Sequence, residues 1–371
     1  MSIHRFSWKE PYNPEGKPRA AVVRYGAFGD MAQAASVCAA LKAEGFHVTL
    51  YASFPASEIV AFDPNIDELL VQMQNQVPLA WLGHFWMWHE NKWRNHQSGG
   101  KKYDRWINLT ESAEVNLLAM AGNITFNWPP LPRHRLKNFN YVQIQHEIAG
   151  VGHVKPSFKF HPTDEEKKWR DKERAAMAKV GIQEFILWSL AGSSRTHKLY
   201  PHQPAIWQHV LKHFPNWGIA TAGDASCRDL EAGFEGEPKI WRTSGKWTIR
   251  QVAAMMEIAD VVIGPETGVL SMAAFYPQPK VVFLSHSTVE NLTRDWVNTT
   301  SLWAPFTECP GRGKNEVAAC HKMLPSFEGC RRHETFGTAQ CCAEILPEWV
   351  WSVLQICMTT GEAPPWAPPI L

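Results

Sequence analysis

No Asp-x-Asp pair occurs anywhere in the 371 residues, which argues against a diphosphate clamped through a metal on paired carboxylates. None of the eight cysteines stands in a C-x-x-C pair, so the commonest zinc-ligand spacing is missing. No glycine cluster completes the three-glycine dinucleotide fingerprint. No apolar stretch reaches the length of a membrane span, and Met1 to Pro18 is polar and proline-broken, with no run of signal-peptide length. These absences set the expectation of a soluble, cytoplasmic chain. Net charge is only +1, so no global field favours nucleic acid or membrane, and any basic site has to be local.

What is present is ordinary globular material, 45% hydrophobic and 20% charged, long enough for roughly two or three domains. Tryptophan is abundant at eighteen residues. Its ring can stack on sugars or bases, or simply fill a core.

The most informative stretch runs from Ile258 to Ser285. Val261-Val262-Ile263-Gly264 reads as a strand, Pro265-Glu266-Thr267-Gly268 as a tight turn, Val269 to Phe275 as a helix, and Lys280 to Leu284 as the next strand. Amides at such a turn can hold an anion, and the Thr-Gly pair adds a hydroxyl and room for a diphosphate; plain helix capping is the competing reading. Near the start, Ala20 to Val23 is a strand and Arg24-Tyr25-Gly26-Ala27-Phe28-Gly29-Asp30 its loop. A helix follows with Met31, Ala34, Val37, Cys38 and Leu41 at helical spacing, ended by Gly45, and Val48 to Ala52 closes a βαβ unit. Asp30 can be an N-cap there.

Between His84 and Trp106 basic and aromatic residues interleave, among them Trp88, Lys101, Lys102, Arg105 and Trp106. Such a loop can clamp a polyanionic acceptor, a phosphorylated glycan or single-stranded nucleic acid, or it can merely cover a sheet. Residues 161–181 read as a connector, with Thr163 and Glu166 forming a capping box before a charged helix. The second half repeats the α/β rhythm, with a strand over Phe185 to Leu190, another over Gly218 to Ala222, a helix over Ala225 to Ala232, and a second capping box at Thr248 and Gln251. The loop Gly192 to Lys198 gathers Ser193, Ser194, Arg195 and Lys198 just past a strand, good chemistry for a diphosphate. Two such halves predict two Rossmann-like domains with a cleft between them. Cys309, Cys320, Cys330, Cys341 and Cys342 could bind zinc, pair as disulfides, or stay free. Leu346 to Met358 reads as a closing apolar helix.

Three stretches together resemble the heptosyltransferases of glycosyltransferase family 9. These are Val23-Arg24 through Gly29-Asp30; Ser193-Ser194 followed by Lys198-Leu199-Tyr200-Pro201; and Ala259-Asp260 through Glu266-Thr267-Gly268. The order and spacing are similar over roughly residues 20–290, with Glu266, Tyr200 and Ser271 standing where the family has Asp, Trp and His. The resemblance implies an α/β protein of GT-B fold, two Rossmann-like domains facing across a cleft. The domain limits would be 1–160 for the acceptor domain, 161–181 for the connector, 182–345 for the nucleotide-sugar domain, and 346–371 for the closing helix and tail.

The same resemblance implies an inverting glycosyltransferase with a nucleotide-diphosphate-sugar donor and a glycan or lipopolysaccharide-core acceptor; with no Asp-x-Asp present, the expected enzyme is metal-independent and uses no cofactor beyond that donor. Asp30 would be the base and Arg24 the nearby basic residue, while Ser193, Ser194, Arg195, Lys198, Glu266, Thr267 and Gly268 would hold the diphosphate. Gly29, Trp88, Lys101 and Lys102 are the acceptor candidates. Three alternatives stay open: transfer to hydroxylated bases in DNA, a non-catalytic nucleotide-sugar-binding protein, and a GT-B epimerase, which would need further acidic residues.

Overall fold

A computed structural model describes residues 3–6, 17–72, 103–109, 139–151, 155–192, 195–285, 287–304 and 331–365. The chain divides into two compact units, Met1–His161 with His321–Glu328, and Pro162–Cys320 with Gly329–Leu371.

The first unit contains β1 (Ile3–Phe6), β2 (Arg19–Arg24), α1 (Phe28–Ala43), β3 (His47–Ser53), β4 (Glu68–Gln72), β5 (Arg105–Asn108) and α2 (Tyr141–Ala149). Its sheet runs β1-β4-β3-β2-β5; β1 is antiparallel to β4 and every other pair is parallel. Strands β3 and β4 are buried along their whole length, as expected where a parallel sheet is covered on both faces. The spacing read for α1 holds: Met31, Ala34, Val37, Cys38 and Leu41 are all buried. Gly45 follows the helix at φ +91°, a left-handed conformation suited to glycine.

The second unit contains α3 (Asp164–Lys179), β6 (Glu184–Ser189), α4 (Gln203–His213), β7 (Trp217–Ala222), β8 (Ile240–Trp241), α5 (Ile249–Met256), β9 (Val261–Pro265), α6 (Gly268–Ala273), β10 (Lys280–Phe283), β11 (Thr299–Leu302) and α7 (Pro347–Thr360). Its sheet is wholly parallel, in the order β11-β10-β9-β6-β7-β8. Both capping boxes form as the sequence suggests. Glu166 does more than close its box, because its two carboxylate oxygens also accept from Arg250 Nε at 2.5 Å and Nη2 at 2.7 Å. The stretch read as a connector is thereby packed on α5. Residues 225–231 form 3-10 turns rather than the expected α-helix, opened by the Asp224 carboxylate accepting from Ser226 N at 2.8 Å.

Aromatic rings run through the largely aliphatic core of this unit. Trp188 and Trp207 are fully buried and meet edge to face at 5.9 Å. Tyr200 lies on Phe283 at 4.4 Å, and α7 lays Val350, Val353, Leu354 and Cys357 on the same cluster. For Trp188 and Trp207, core filling is the role.

Lys280, at the start of β10, is fully buried, and its Nζ donates to the carbonyls of Tyr276 at 2.6 Å and Gln278 at 2.7 Å. Burial pushes its pKa down to about 7 from 10.5. Between those two values the unfolded chain holds a proton that the folded protein has released, so stability should rise with pH across that window. The slope from this one group is at most about 1.4 kcal/mol per pH unit. Denaturant unfolding from pH 7 to 10 should show the rise, and Lys280→Met should flatten it; equal slopes in both proteins would assign the lysine an ordinary titration.

Candidate functional site

In the first unit the chemistry gathers where β2 meets α1. Arg24, the last residue of β2, has a side chain with no solvent exposure. Its Nη1 donates to the Leu109 carbonyl, just past neighbouring β5, at 3.1 Å, and its Nη2 lies 2.6 Å from Asp30 Oδ1. The other oxygen, Asp30 Oδ2, accepts from Ala27 N at 2.7 Å. The carboxylate is thus held by a guanidinium on one side and a backbone amide on the other, and it remains 24% exposed.

Helix α1 starts at Phe28 with Ala27 as its N-cap. Asp30 is therefore the third helical residue, not the cap itself; it reaches back to the cap amide as an acidic first-turn residue does. Gly26 has to be glycine, since a Cβ there would lie 2.5 Å from Asp30 Oδ2. Gly29 sits in the same first turn.

In the second unit the candidates lie past the carboxyl ends of β6, β9 and β10, the usual place for ligands in open α/β sheets. Gly192 is wedged between Lys198 and Thr267: a Cβ there would come within 3.0 Å of Lys198 Cδ and 3.3 Å of Thr267 Cγ2. Lys198 ends a short helical turn, Arg195–Lys198. It has no hydrogen-bond or ion-pair partner among the described residues. Two residues later, fully buried Tyr200 anchors the loop in the core, which explains how an aromatic here fixes the lysine. Thr267 is the N-cap of α6 but makes no side-chain cap bond. Its hydroxyl lies 2.9 Å from Ser189 Oγ at the end of β6. Gly268 is the first residue of that helix.

Two residues assigned to the diphosphate are engaged elsewhere. Glu266 is only 4% exposed, and its Oε1 accepts from Ser285 N at 2.7 Å and Ser285 Oγ at 2.5 Å, pinning the turn after β9 to the end of β10. A carboxylate so placed ties strands together and would repel a diphosphate. Arg195 directs its fork at the Asp229 carboxylate and the Ser226 carbonyl, which leaves it bracing the 225–231 segment. The hydrogen bond to Asp229 holds the guanidinium above its usual pKa.

Ser189 and Ser285 escaped the sequence reading, although each stands as a single hydroxyl at the end of an apolar strand run. Ser193, Ser194, Trp88, Lys101, Lys102, Cys309, Cys320 and Cys330 lie outside the described residues. Cys341 and Cys342 carry free thiols, and the Cys342 thiol is pushed well up by the adjacent Cys341 and by burial. The described end of the aromatic-basic stretch belongs to the sheet as edge strand β5, where Trp106 packs on Tyr51 at 5.5 Å and Arg105 pairs with Glu44 at 2.9 Å. No described helix is long and apolar enough to cross a membrane.

No protein-family model and no curated protein matches the sequence. Solved structures do match. The ADP-heptose lps heptosyltransferase II of E. coli is 14% identical with a TM-score of 0.59, over 92% of this chain and 98% of that one. A glycosyl transferase family 9 protein of Veillonella parvula is 15% identical with a TM-score of 0.55, over 78% and 88%. The iron-containing dodecameric glycosyltransferase TibC of enterotoxigenic E. coli H10407 is 12% identical with a TM-score of 0.53, over 92% and 77%. At these identities the likeness is one of architecture, and it covers most of the chain: two Rossmann-like α/β units with the fold of GT-B glycosyltransferases.

Proposed function

We propose that the chain is an inverting glycosyltransferase that takes its sugar from a nucleotide-diphosphate-sugar, with a glycan of the lipopolysaccharide-core kind as acceptor. The observation that carries this reading is Lys198, a cation without a protein partner among the described residues, held against Gly192 and Thr267 at the carboxyl ends of β6 and β9. The structures of like fold include one bound to ADP-D-beta-D-heptose, a donor of the proposed class.

In the proposed step the acceptor hydroxyl gives its proton to Asp30 as its oxygen attacks the anomeric carbon. The bond from that carbon to the phosphate oxygen breaks on the opposite face, and the diphosphate leaves with the bonding pair. Arg24 orients the carboxylate, and Lys198 meets the charge that develops on the leaving group, where a preplaced cation is most effective. Ser193, Ser194, Thr267 and Gly268 complete the proposed grip on the donor, with Gly29 on the acceptor side.

Calorimetry with ADP, UDP and GDP tests the donor half. Lys198→Ala should weaken binding of the preferred nucleotide by about 1.5–3 kcal/mol, the range for a hydrogen bond to a charged group. Unchanged affinity in a folded variant would remove Lys198 from the site and the proposal with it.

A further inference from the structure

The tryptophan excess is not exhausted by the core. Trp169 on α3, Trp241 on β8 and Trp247 just before α5 line an open pocket of about 520 Å³, within the usual range for small-molecule sites. The pocket flanks edge strand β8, whereas Lys198 and Thr267 follow β6 and β9, with β7 lying between β6 and β8. All three rings are half-buried, and each has a described partner. Trp241 Nε1 donates to Glu173 Oε2 at 3.0 Å. Trp169 and Trp247 meet edge to face at 5.5 Å, their planes at 90°.

The rim is mixed in charge. Glu173, Glu235 and Glu237 supply acceptors, and Arg242 and Lys246 supply donors. Lys246 Nζ is steadied by the Arg242 carbonyl at 2.7 Å, and Arg242 Nη2 by the Glu235 carbonyl at 3.2 Å.

We propose that this pocket is a second carbohydrate site, one that binds a neutral pyranose ring through its C–H face against tryptophan and its hydroxyls against the rim. Rigid aromatic walls provide contact area at small entropic cost. A sugar hydroxyl both donates and accepts, so it suits a rim holding carboxylates and cations together. A phosphorylated ligand would meet three carboxylates. A quaternary ammonium ion, the other common guest of tryptophan cages, would sit beside a guanidinium and an ammonium. The site is independent of the transfer reaction and stands whether or not the chain is an enzyme.

Fluorine NMR of the full chain labelled with 5-fluorotryptophan reads all eighteen rings, assigned by single Trp→Phe variants. Titration with maltotetraose, cellotetraose and chitotetraose should shift the signals of Trp169, Trp241 and Trp247 with at least one of the three sugars. Trp247→Ala should weaken that binding about tenfold, and Glu173→Gln, which keeps an acceptor for the Trp241 indole, serves if the first variant unfolds. The proposal fails if none of the sugars moves these three signals, if only other tryptophans respond, or if choline shifts them and the sugars do not.

Discussion

Asp30→Asn should reduce turnover by about 10²–10⁴-fold, the usual range for one lost acid–base group, with donor affinity nearly unchanged. Asparagine keeps an oxygen of the right shape, so the Ala27 amide can still be satisfied, but it cannot take a proton. Read as an N-cap, Asp30 would tolerate the change at little cost, since asparagine caps as well as aspartate. The structure alters that forecast. The carboxylate faces a guanidinium with no solvent exposure, and removing the charge opposite a buried cation is destabilising; with one hydrogen bond retained, about 1–3 kcal/mol is expected. The measurements are kcat and Tm of the purified variant with the donor that calorimetry identifies. A low Tm with normal turnover would leave Asp30 a brace for Arg24. The base would then have to be sought at Glu111 or Glu114, outside the described residues, because buried Glu266 is committed to Ser285. Lost turnover with retained donor affinity also separates an enzyme from a protein that merely binds nucleotide sugars.

Gly264→Ala should be the most damaging glycine-to-alanine change among the described residues of the second unit. Gly264 has φ +152°, and a Cβ on it would lie 2.4 Å from the Ser189 carbonyl and 2.9 Å from its Cβ. Neither neighbour is a flexible side-chain tip. Strand β9 would have to move away from β6, at a cost of about 3–5 kcal/mol. Ser189, which the added Cβ would meet, is also the residue whose hydroxyl meets Thr267, so nucleotide binding should fall even in the fraction that stays folded at low temperature. Gly236→Ala is the control: a Cβ there meets nothing within 4 Å, and a change within about 0.5 kcal/mol is expected. Urea unfolding of the two variants beside the parent decides the matter. Equal midpoints for Gly264→Ala and the parent would mean that the close approach of β9 to β6 is not a constraint.

Much of this arrangement was legible because it is local. The apolar runs of β2, β3, β6, β9 and β10, the spacing of buried residues along α1, and both capping boxes follow from neighbours a few positions apart. The loop carrying Lys198 was legible for the same reason. What stayed hidden depends on distant partners. Ser189 meets Thr267 across 78 positions, and Arg24 meets the Leu109 carbonyl across 85; no periodicity announces either. For Glu266 and Arg195 the motif gives position but not direction. Both residues are where the motif puts them, but one carboxylate turns inward to Ser285 and one guanidinium turns sideways to Asp229. The start of α1 at Phe28 escaped because neither Phe28 nor Gly29 is a typical helix-opening residue.

Glu166 has a bearing on where this protein can be cut. Its carboxylate closes the N-terminus of α3 and grips Arg250 on α5 with both oxygens. The charged helix therefore belongs to the body of the second unit, although its sequence resembles a spacer. A fragment begun at residue 182, where the next apolar strand suggests a start, would lack the counter-ion of Arg250, the wall that Trp169 gives its pocket, and the cover over α5. The natural seam lies upstream of Thr163, so fragments for expression, fusions and inserted tags belong on that side of the helix.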